Sequence, residues 1–467
     1  MLAKLGPGSA VFAQTIERLS RIFATARQTP PVAARFREWQ RYRTGYQGQE
    51  SQSEYLFIHQ TYLAVLARLT ARRFVAPKRP IATTEELLEV INVDYFSRRG
   101  IGNFGEGDIF SWLPLDRRWG LGLDDLVLET VQILADAVAT QDLSDAQPGV
   151  LDDLYRQASP ISSSVPPWLA EHIVTEELGL TDDPSPSLLD PAFGTGAFLS
   201  AAVQAMRRAV ANRGGDEIDV LFEAPEKVRG MERDPLAVAL ARLNYLLAFG
   251  NLVQQDHPPF LMPVYLSGLA GTELSTSDDS VVTLFTETGE FPLPGPFISN
   301  PLMLDWVLGR LTNYMDGAQM RLHVQSEDLA VQEVLNAFYN YLTAGKPRTP
   351  VPEALTPAEA DVVLDTARSL VHLHIHGEGT LWLHLVQNMA APAIFARHGF
   401  DRVVCQDAAS NFDIHSQAYL RAEGQIAVVT TLADAEPHAS GKRLVSMESR
   451  LPGAALLITG PEQRASL

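Results

Sequence analysis

The stretch LLDPAFGTGAFLSAAV, Leu188 to Val203, runs from an apolar segment through a turn with two glycines into small and apolar residues. PSLLD predicts a short strand ending at Asp190. Gly194 and Gly196 follow, and glycines let a ligand approach the backbone closely. The residues after them predict a long helix, whose first turn offers N–H groups with no intrahelical partner. The same order then recurs. KVRGMERD predicts a second strand ending at Glu232. PLAVALARLNYLLAFG predicts a second helix, with Pro235 in its first turn and Gly250 just past its end. Strand, helix, strand, helix implies a parallel sheet with right-handed crossovers. A carboxylate ending the second strand can accept hydrogen bonds from both hydroxyls of a ribose. The glycine turn and this carboxylate together describe an adenosine-type pocket. The spacing is not that of the dinucleotide fingerprint, and no phosphate-binding lysine follows the glycines.

The chain around this unit has 467 residues, room for two or three domains and at least one large core. Hydrophobic residues make up 46% and charged residues 20%, ordinary for a globular protein. The single cysteine, Cys405, excludes an intramolecular disulfide and fits a reducing cytosol. No apolar run reaches the roughly 18 residues of a membrane span. The start, MLAKLGPGSAVFAQT, lacks the apolar stretch of a signal peptide. The expectation is a cytoplasmic protein with no membrane association. Net charge is −19, yet residues 1–80 hold 13 Lys and Arg against Glu17, Glu38, Glu50 and Glu54. Such a basic segment suits a phosphate-binding arm or a solvated helical face.

Four regions are expected. Residues 1–150 read as a mostly α-helical N-terminal region. In it, EYLFIHQTYLAVLARLTARRF is amphipathic, TTEELLEVINVDYF opens with a threonine and acids, and GIGNFGEGDIFSWL is a glycine-rich loop. Residues 151–270 carry the strand–helix unit. Residues 271–380 read as a helical insertion. Residues 381–467 bring strand-like runs back at DRVVCQ, GQIAVVTTL and AALLITG.

DPAFGTGAFL resembles the first motif of amino-methylating DNA methyltransferases, and GMERDPLAVALARLN resembles their second. GIGNFGEGDIFSW, PPWLAEHIV and LWLHLVQNMAAPAIFARHGFDRVV extend the likeness. The chain thus resembles, over residues 90–405, the large adenine-specific (N6) methylases of restriction-modification and phage-defence systems. The resemblance implies an α/β fold, a Rossmann-like methyltransferase sheet preceded by helices. It implies S-adenosylmethionine (SAM) as cofactor, double-stranded DNA as substrate, and companion restriction or defence subunits. Asp190, Pro191, Phe193, Gly194, Thr195, Gly196, Glu232 and Asp234 fall on the cofactor motifs. Asp190 and the glycine turn would hold the methionine end, Glu232 the ribose, and Phe193 would line the pocket.

The same comparison marks departures. These methylases end their fourth strand with [Asn/Asp]-Pro-Pro-aromatic, whose amide and carbonyl accept the target amine hydrogens and whose ring stacks on the flipped base. Here Gln406, Asp407, Ala408 and Ala409 stand after GFDRVVC. Glutamine is one methylene longer, and no proline or ring follows. A weaker candidate, Asn300-Pro301, follows FPLPGPF rather than a buried strand and reads better as a loop opening a helix. The Tyr-Thr-Pro motif is replaced by Ser163 to Pro167, and Gly268 stands where an adenine-reading Asp is expected. The segment after the catalytic strand is too short for a target-recognition region.

HLHIH places His372, His374 and His376 at alternate positions. They would share a face on a strand, but helical periodicity scatters them, so no metal site is expected. Three readings follow: an adenine methyltransferase, a non-catalytic SAM- and DNA-binding pseudo-methyltransferase subunit, and a decayed or truncated methylase. Protein glutamine and RNA are the runner-up substrates.

Overall fold

The computed structural model describes residues 2–47, 53–105, 108–113, 120–159, 165–269, 273–278, 281–299, 302–321, 325–344, 355–406, 417–436, 442–447 and 454–459. The N-terminal region is helical: α1 (Leu2–Leu5), α2 (Ala10–Ala26), α3 (Pro30–Gln47), α4 (Glu54–Val75), α5 (Thr84–Ile91), α6 (Asp94–Arg98) and α7 (Asp124–Ala139). Side-chain caps start several of them. Ser9 accepts from Phe12 N–H, Ser53 from Leu56 N–H and Thr83 from Glu86 N–H, each satisfying a donor the helix cannot.

Helix α4 corrects the sequence reading. It was expected to be amphipathic, but it is buried on nearly every side, arginines included. Helices α2 and α7 pack on it, and so does α12. Two of its three arginines are paired with acids inside the protein. The Arg68 guanidinium donates to Asp108 (2.9 Å), Ser111 Oγ (2.9 Å) and the Ile91 carbonyl (2.6 Å), and Arg72 donates to Glu86 at 2.9 Å. Elsewhere Arg18 meets Glu129, Arg27 meets Glu54, and Arg37 and Arg41 meet Glu38. Of the basic excess in residues 1–80, Arg18, Arg68 and Arg72 meet acids from downstream segments, whereas Glu38 and Glu54 belong to the basic segment itself.

The loop 101–113 is the stitch between regions. Its strand β1 (Ile101–Gly102) pairs in parallel with β4 (Phe260–Leu261). Asn103, at φ +58°, donates its side-chain amide to the Met262 carbonyl at 2.6 Å, and Trp112 donates to Thr61 Oγ1 at 2.7 Å.

The central sheet has seven strands in the order β11-β12-β10-β9-β2-β3-β5. These are β2 (Leu188–Asp190), β3 (Val228–Glu232), β5 (Val264–Leu266), β9 (Phe400–Gln406), β10 (Leu420–Thr431), β11 (Arg443–Ser446) and β12 (Ala454–Thr459). All neighbouring pairs are parallel except those of β12, which runs against both its neighbours. Helices α8 (Asp152–Ala158) and α9 (Pro167–His172) lead into β2, and α9 continues into a π-helical turn, Ile173–Glu177. Helix α10 (Ala197–Asn212) follows β2, α11 (Val220–Lys227) leads into β3, and α12 (Pro235–Ala248) joins β3 to β5. Short, fully buried strands such as LLD and VYL suit a sheet covered on its faces.

The segment 271–380, expected to be helical, opens instead on an antiparallel sheet. It comprises β6 (Glu273–Asp278), β7 (Val281–Phe285) and β8 (Glu290–Pro294). FPLP, read as lying outside any strand, belongs to β8. Its prolines stand on the outer strand of this sheet, where a missing N–H is tolerated. Then come α13 (Gly295–Ser299), α14 (Met303–Arg321), α15 (Glu327–Thr343), α16 (Pro357–Leu373) and α17 (Leu381–His398). Among the described residues no helix is long and apolar enough to cross a membrane.

A buried polar cluster joins this insertion to the sheet edge. Tyr265 of β5 donates its hydroxyl to Asp305 of α14, and Leu266 N–H donates to Asn388 of α17 at 2.8 Å. Burial pushes the Asp305 carboxyl up to about 7, against hydrogen bonds from Tyr265 and Gln387 and the charges of Arg229 and Arg242. From about pH 4 to about 7 the folded chain therefore keeps a proton that the unfolded chain has lost. Stability from this group is complete below that window and falls as pH rises through it. Thermal melts of Asp305→Asn should accordingly lose less stability than wild type between about pH 5 and about pH 8. Parallel curves would contradict the assignment.

Candidate functional site

The candidate site lies at the carboxyl ends of β2, β3 and β9. The chain leaves β2 towards β3 and β5 on one side and returns on the other side as β9. Crevices at such a reversal of strand order are where open α/β sheets bind ligands. A pocket here is lined by Val165, Asp190, Phe193, Gly194, Thr195 and Gln406, with Ala192, Ala197 and Phe198 beside them.

The turn between β2 and α10 is braced from several directions. Gly194 and Gly196 sit at φ +56° and +82°, backbone that side chains other than glycine rarely adopt. Gly194 N–H donates to Glu232 Oε2 at 2.8 Å. The other carboxylate oxygen of Glu232 accepts from Arg233 N–H (2.7 Å) and Asp234 N–H (3.1 Å). Asn244 donates to the Thr195 carbonyl at 2.8 Å and accepts from Gly149 N–H at 2.8 Å. Asp152 is hydrogen-bonded by the Thr195 and Asn244 side chains, and burial raises its carboxyl.

Asp190 is fully buried. Its Oδ1 accepts from Ala192 N–H at 3.2 Å, while Oδ2 has no hydrogen-bond partner among the described residues. Burial pushes this carboxyl well above the usual range, and the nearby Glu232 charge adds to the push. Glu232 is also raised by burial, against the three N–H groups it accepts.

Most residues read from the sequence meet here, but two differ from expectation. Glu232 was expected to take two ribose hydroxyls. Three of a carboxylate's about four acceptor positions are filled by backbone, leaving room for one. Asp234 was placed with the cofactor residues, yet its carboxylate is already engaged. It caps α12 through Leu236 N–H (2.9 Å) and accepts from Tyr155 (3.0 Å) and Ser159 (3.3 Å). Gln406 ends β9 and lines the pocket, whereas Asp407, Ala408, Ala409, Asn300, Pro301 and Ser163 lie outside the described residues. Gly268, at φ +77°, is packed against the Arg233 side chain.

Sequence reading missed the partners beneath the turn. Tyr155, Asp152 and Gly149 belong to a segment without a motif. Gly230 was also missed: a Cβ there would meet Phe193 Cδ1 at 2.5 Å and the Asp190 carbonyl at 3.0 Å. The glycine in GMERD thus makes room for the pocket's phenylalanine.

No family model matches the chain, and no curated protein matches it. Solved structures do show similarity. The ATP-dependent Type ISP restriction-modification enzyme LlaBIII bound to DNA aligns at 8% identity and TM-score 0.40, over 97% of this chain and 29% of that one. A nuclease-deletion mutant of the Type ISP enzyme LlaGI, in complex with a DNA substrate mimic, aligns at 9% and 0.35, over 96% and 34%. The type I restriction-modification methyltransferase subunit from Streptococcus thermophilus aligns at 12% and 0.32, over 96% and 83%. This chain spans about a third or less of the two Type ISP enzymes.

Gly230→Ala should cost about 1–3 kcal/mol, the usual penalty of overpacking. Urea denaturation reads this directly, and a variant as stable as wild type would show that Phe193 is not wedged as described.

Proposed function

We propose that the chain binds SAM at the ends of β2 and β3 and is a DNA adenine methyltransferase-type protein of a restriction-modification or phage-defence system. The observation that carries this reading is the Asp190 carboxylate, buried at the pocket with one oxygen that has no hydrogen-bond partner among the described residues. Such a group is costly to leave alone, and the ammonium of a methionine moiety is a partner that suits it. The glycine turn, the acceptor position left on Glu232 and the ring of Phe193 fit the rest of a nucleoside-bearing ligand. The order of the sheet, with one reversed strand beside an edge, agrees with a Rossmann-like methyltransferase domain.

SAM would supply an electrophilic methyl group. The chain's own residues have a narrower task. Asp190 holds the cationic end, the glycine turn lets the ligand lie against the backbone, and Glu232 orients one sugar hydroxyl while keeping the turn in place. Adenine N6 as acceptor and double-stranded DNA as substrate rest on the motif resemblance.

Gln406 favours a second reading. It occupies the strand end where the methylases place their Asn, and its longer side chain would displace the amide acceptor from an amine aligned on the shorter one. The non-catalytic, SAM-binding subunit follows from that substitution.

Calorimetric titration with SAM tests the proposal. Wild type should bind more tightly as pH rises, because the charged form of Asp190 recruits the cation and burial has raised its carboxyl. Asp190→Asn should lose about 1.5–3 kcal/mol, tenfold or more in affinity, and should flatten the pH dependence. Absence of heat with wild type up to millimolar SAM would refute the pocket. If SAM binds, methyl transfer to unmodified DNA from radiolabelled SAM then separates the two readings. Incorporation supports the enzyme, and none supports the binding subunit.

A further inference from the structure

The histidines of HLHIH do not scatter entirely. His374 is buried, but His372 and His376, four residues apart, fall on one helical face. Both reach the same acidic side chain on another element. His372 Nδ1 lies 2.9 Å, and His376 Nε2 3.3 Å, from Glu327 Oε1. The donor atoms of all three residues lie within 4.8 Å of one another.

We propose that Glu327, His372 and His376 form a site for a divalent transition metal of the zinc type. Two imidazoles and one carboxylate are a donor set used with zinc, with the fourth position left to water. Imidazole donors disfavour magnesium and calcium, which prefer oxygen. Around a tetrahedral ion with bonds of about 2.0–2.1 Å, ligand atoms stand about 3.3 Å apart. The two histidine-to-glutamate separations, 2.9 and 3.3 Å, lie near this value. The three side chains are partly exposed, at 37%, 39% and 65%, which gives an ion a way in.

The backbone supports the arrangement. Glu327 is the first residue of α15, whereas His372 stands in the last turn of α16 and His376 sits in the following π-helical turn, His374–Glu378. Gly377, at φ +94°, breaks the helix directly after His376. Glu378, in the same turn, meets Arg37 of α3 at 3.4 Å. An ion here would clip the start of α15 to the end of α16, at the turn that contacts the N-terminal helices. The site is separate from the SAM pocket and does not depend on its assignment.

The test uses the full chain stripped with a chelator and titrated with Zn2+ alone. Wild type should bind one equivalent and gain thermal stability with added zinc, as ligand linkage requires. His372→Ala and His376→Ala should each weaken that binding about tenfold or more, since losing even an outer-shell partner costs that much. His257→Ala should leave it unchanged. Co2+ at the site should give the strong visible absorption of a four-coordinate ion, and both histidine variants should lose it. The far-UV spectrum of each variant checks its fold. Failure of wild type to bind a stoichiometric equivalent would overturn the site. So would unchanged affinity in the folded His372→Ala/His376→Ala double variant.

Discussion

The hydrogen bond from Gly194 N–H to the Glu232 carboxylate joins the ends of two adjacent strands, and the pocket is built around it. Together with the bond from Phe193 N–H to the Met231 carbonyl, it sets the height of the turn above β3. The bond draws a carboxylate into a largely dry place, and two further backbone N–H groups offset the desolvation. With the turn fixed, Asp190 faces inward below it, Phe193 fills the space left by Gly230, and Asn244 and Asp152 hold the far side. Each of these positions is set relative to the one before it.

Part of the charge at the start of this chain is settled internally rather than displayed. An acidic chain with a basic beginning invites the picture of a binding arm on a body. Instead, Arg68 and Arg72 sit inside, on a helix buried nearly all round, each with a carboxylate and a carbonyl. A buried cation stripped of such partners would be far more costly than the pair is valuable. These contacts therefore specify which segments lie together. The cluster of Tyr265, Asp305 and Gln387 does the same at the other edge of the sheet, joining a helix of the insertion to its last parallel strand.

The strand–helix unit of residues 188–250 was legible because its signals are local. Short apolar strands, glycines at a turn, a proline at a helix start and a carboxylate at a strand end all lie within a few residues of what they determine. The threonine start of α5 belongs to the same class. What escaped is non-local. The burial of α4 depends on helices arriving from residues 124 and 235, so its arginines read as a solvated face. The sheet at residues 273–294 was hidden by its prolines, which an outer strand accepts and a central one does not. Asp234 looked like a ligand residue because the hydrogen bonds it accepts from Tyr155 and Ser159 can be seen only once the place of α8 is known. The convergence of His372 and His376 on Glu327 needed the packing of α15 against α16, which no periodicity contains.

The pairing of β1 with β4 bears on the order in which the chain assembles. Asn103 and its carbonyl partner Met262 are 159 residues apart in sequence, so the glycine-rich loop has no template until the strand–helix unit has been synthesised. Strand β2 waits longer still, since one of its two neighbours, β9, begins at Phe400. Contacts of such long range are slow to form, because chain closure precedes the gain. The N-terminal helices thus emerge from the ribosome well before the surfaces that bury α4 and secure the loop. Early in synthesis this region would expose apolar surface on α4 that the finished protein hides.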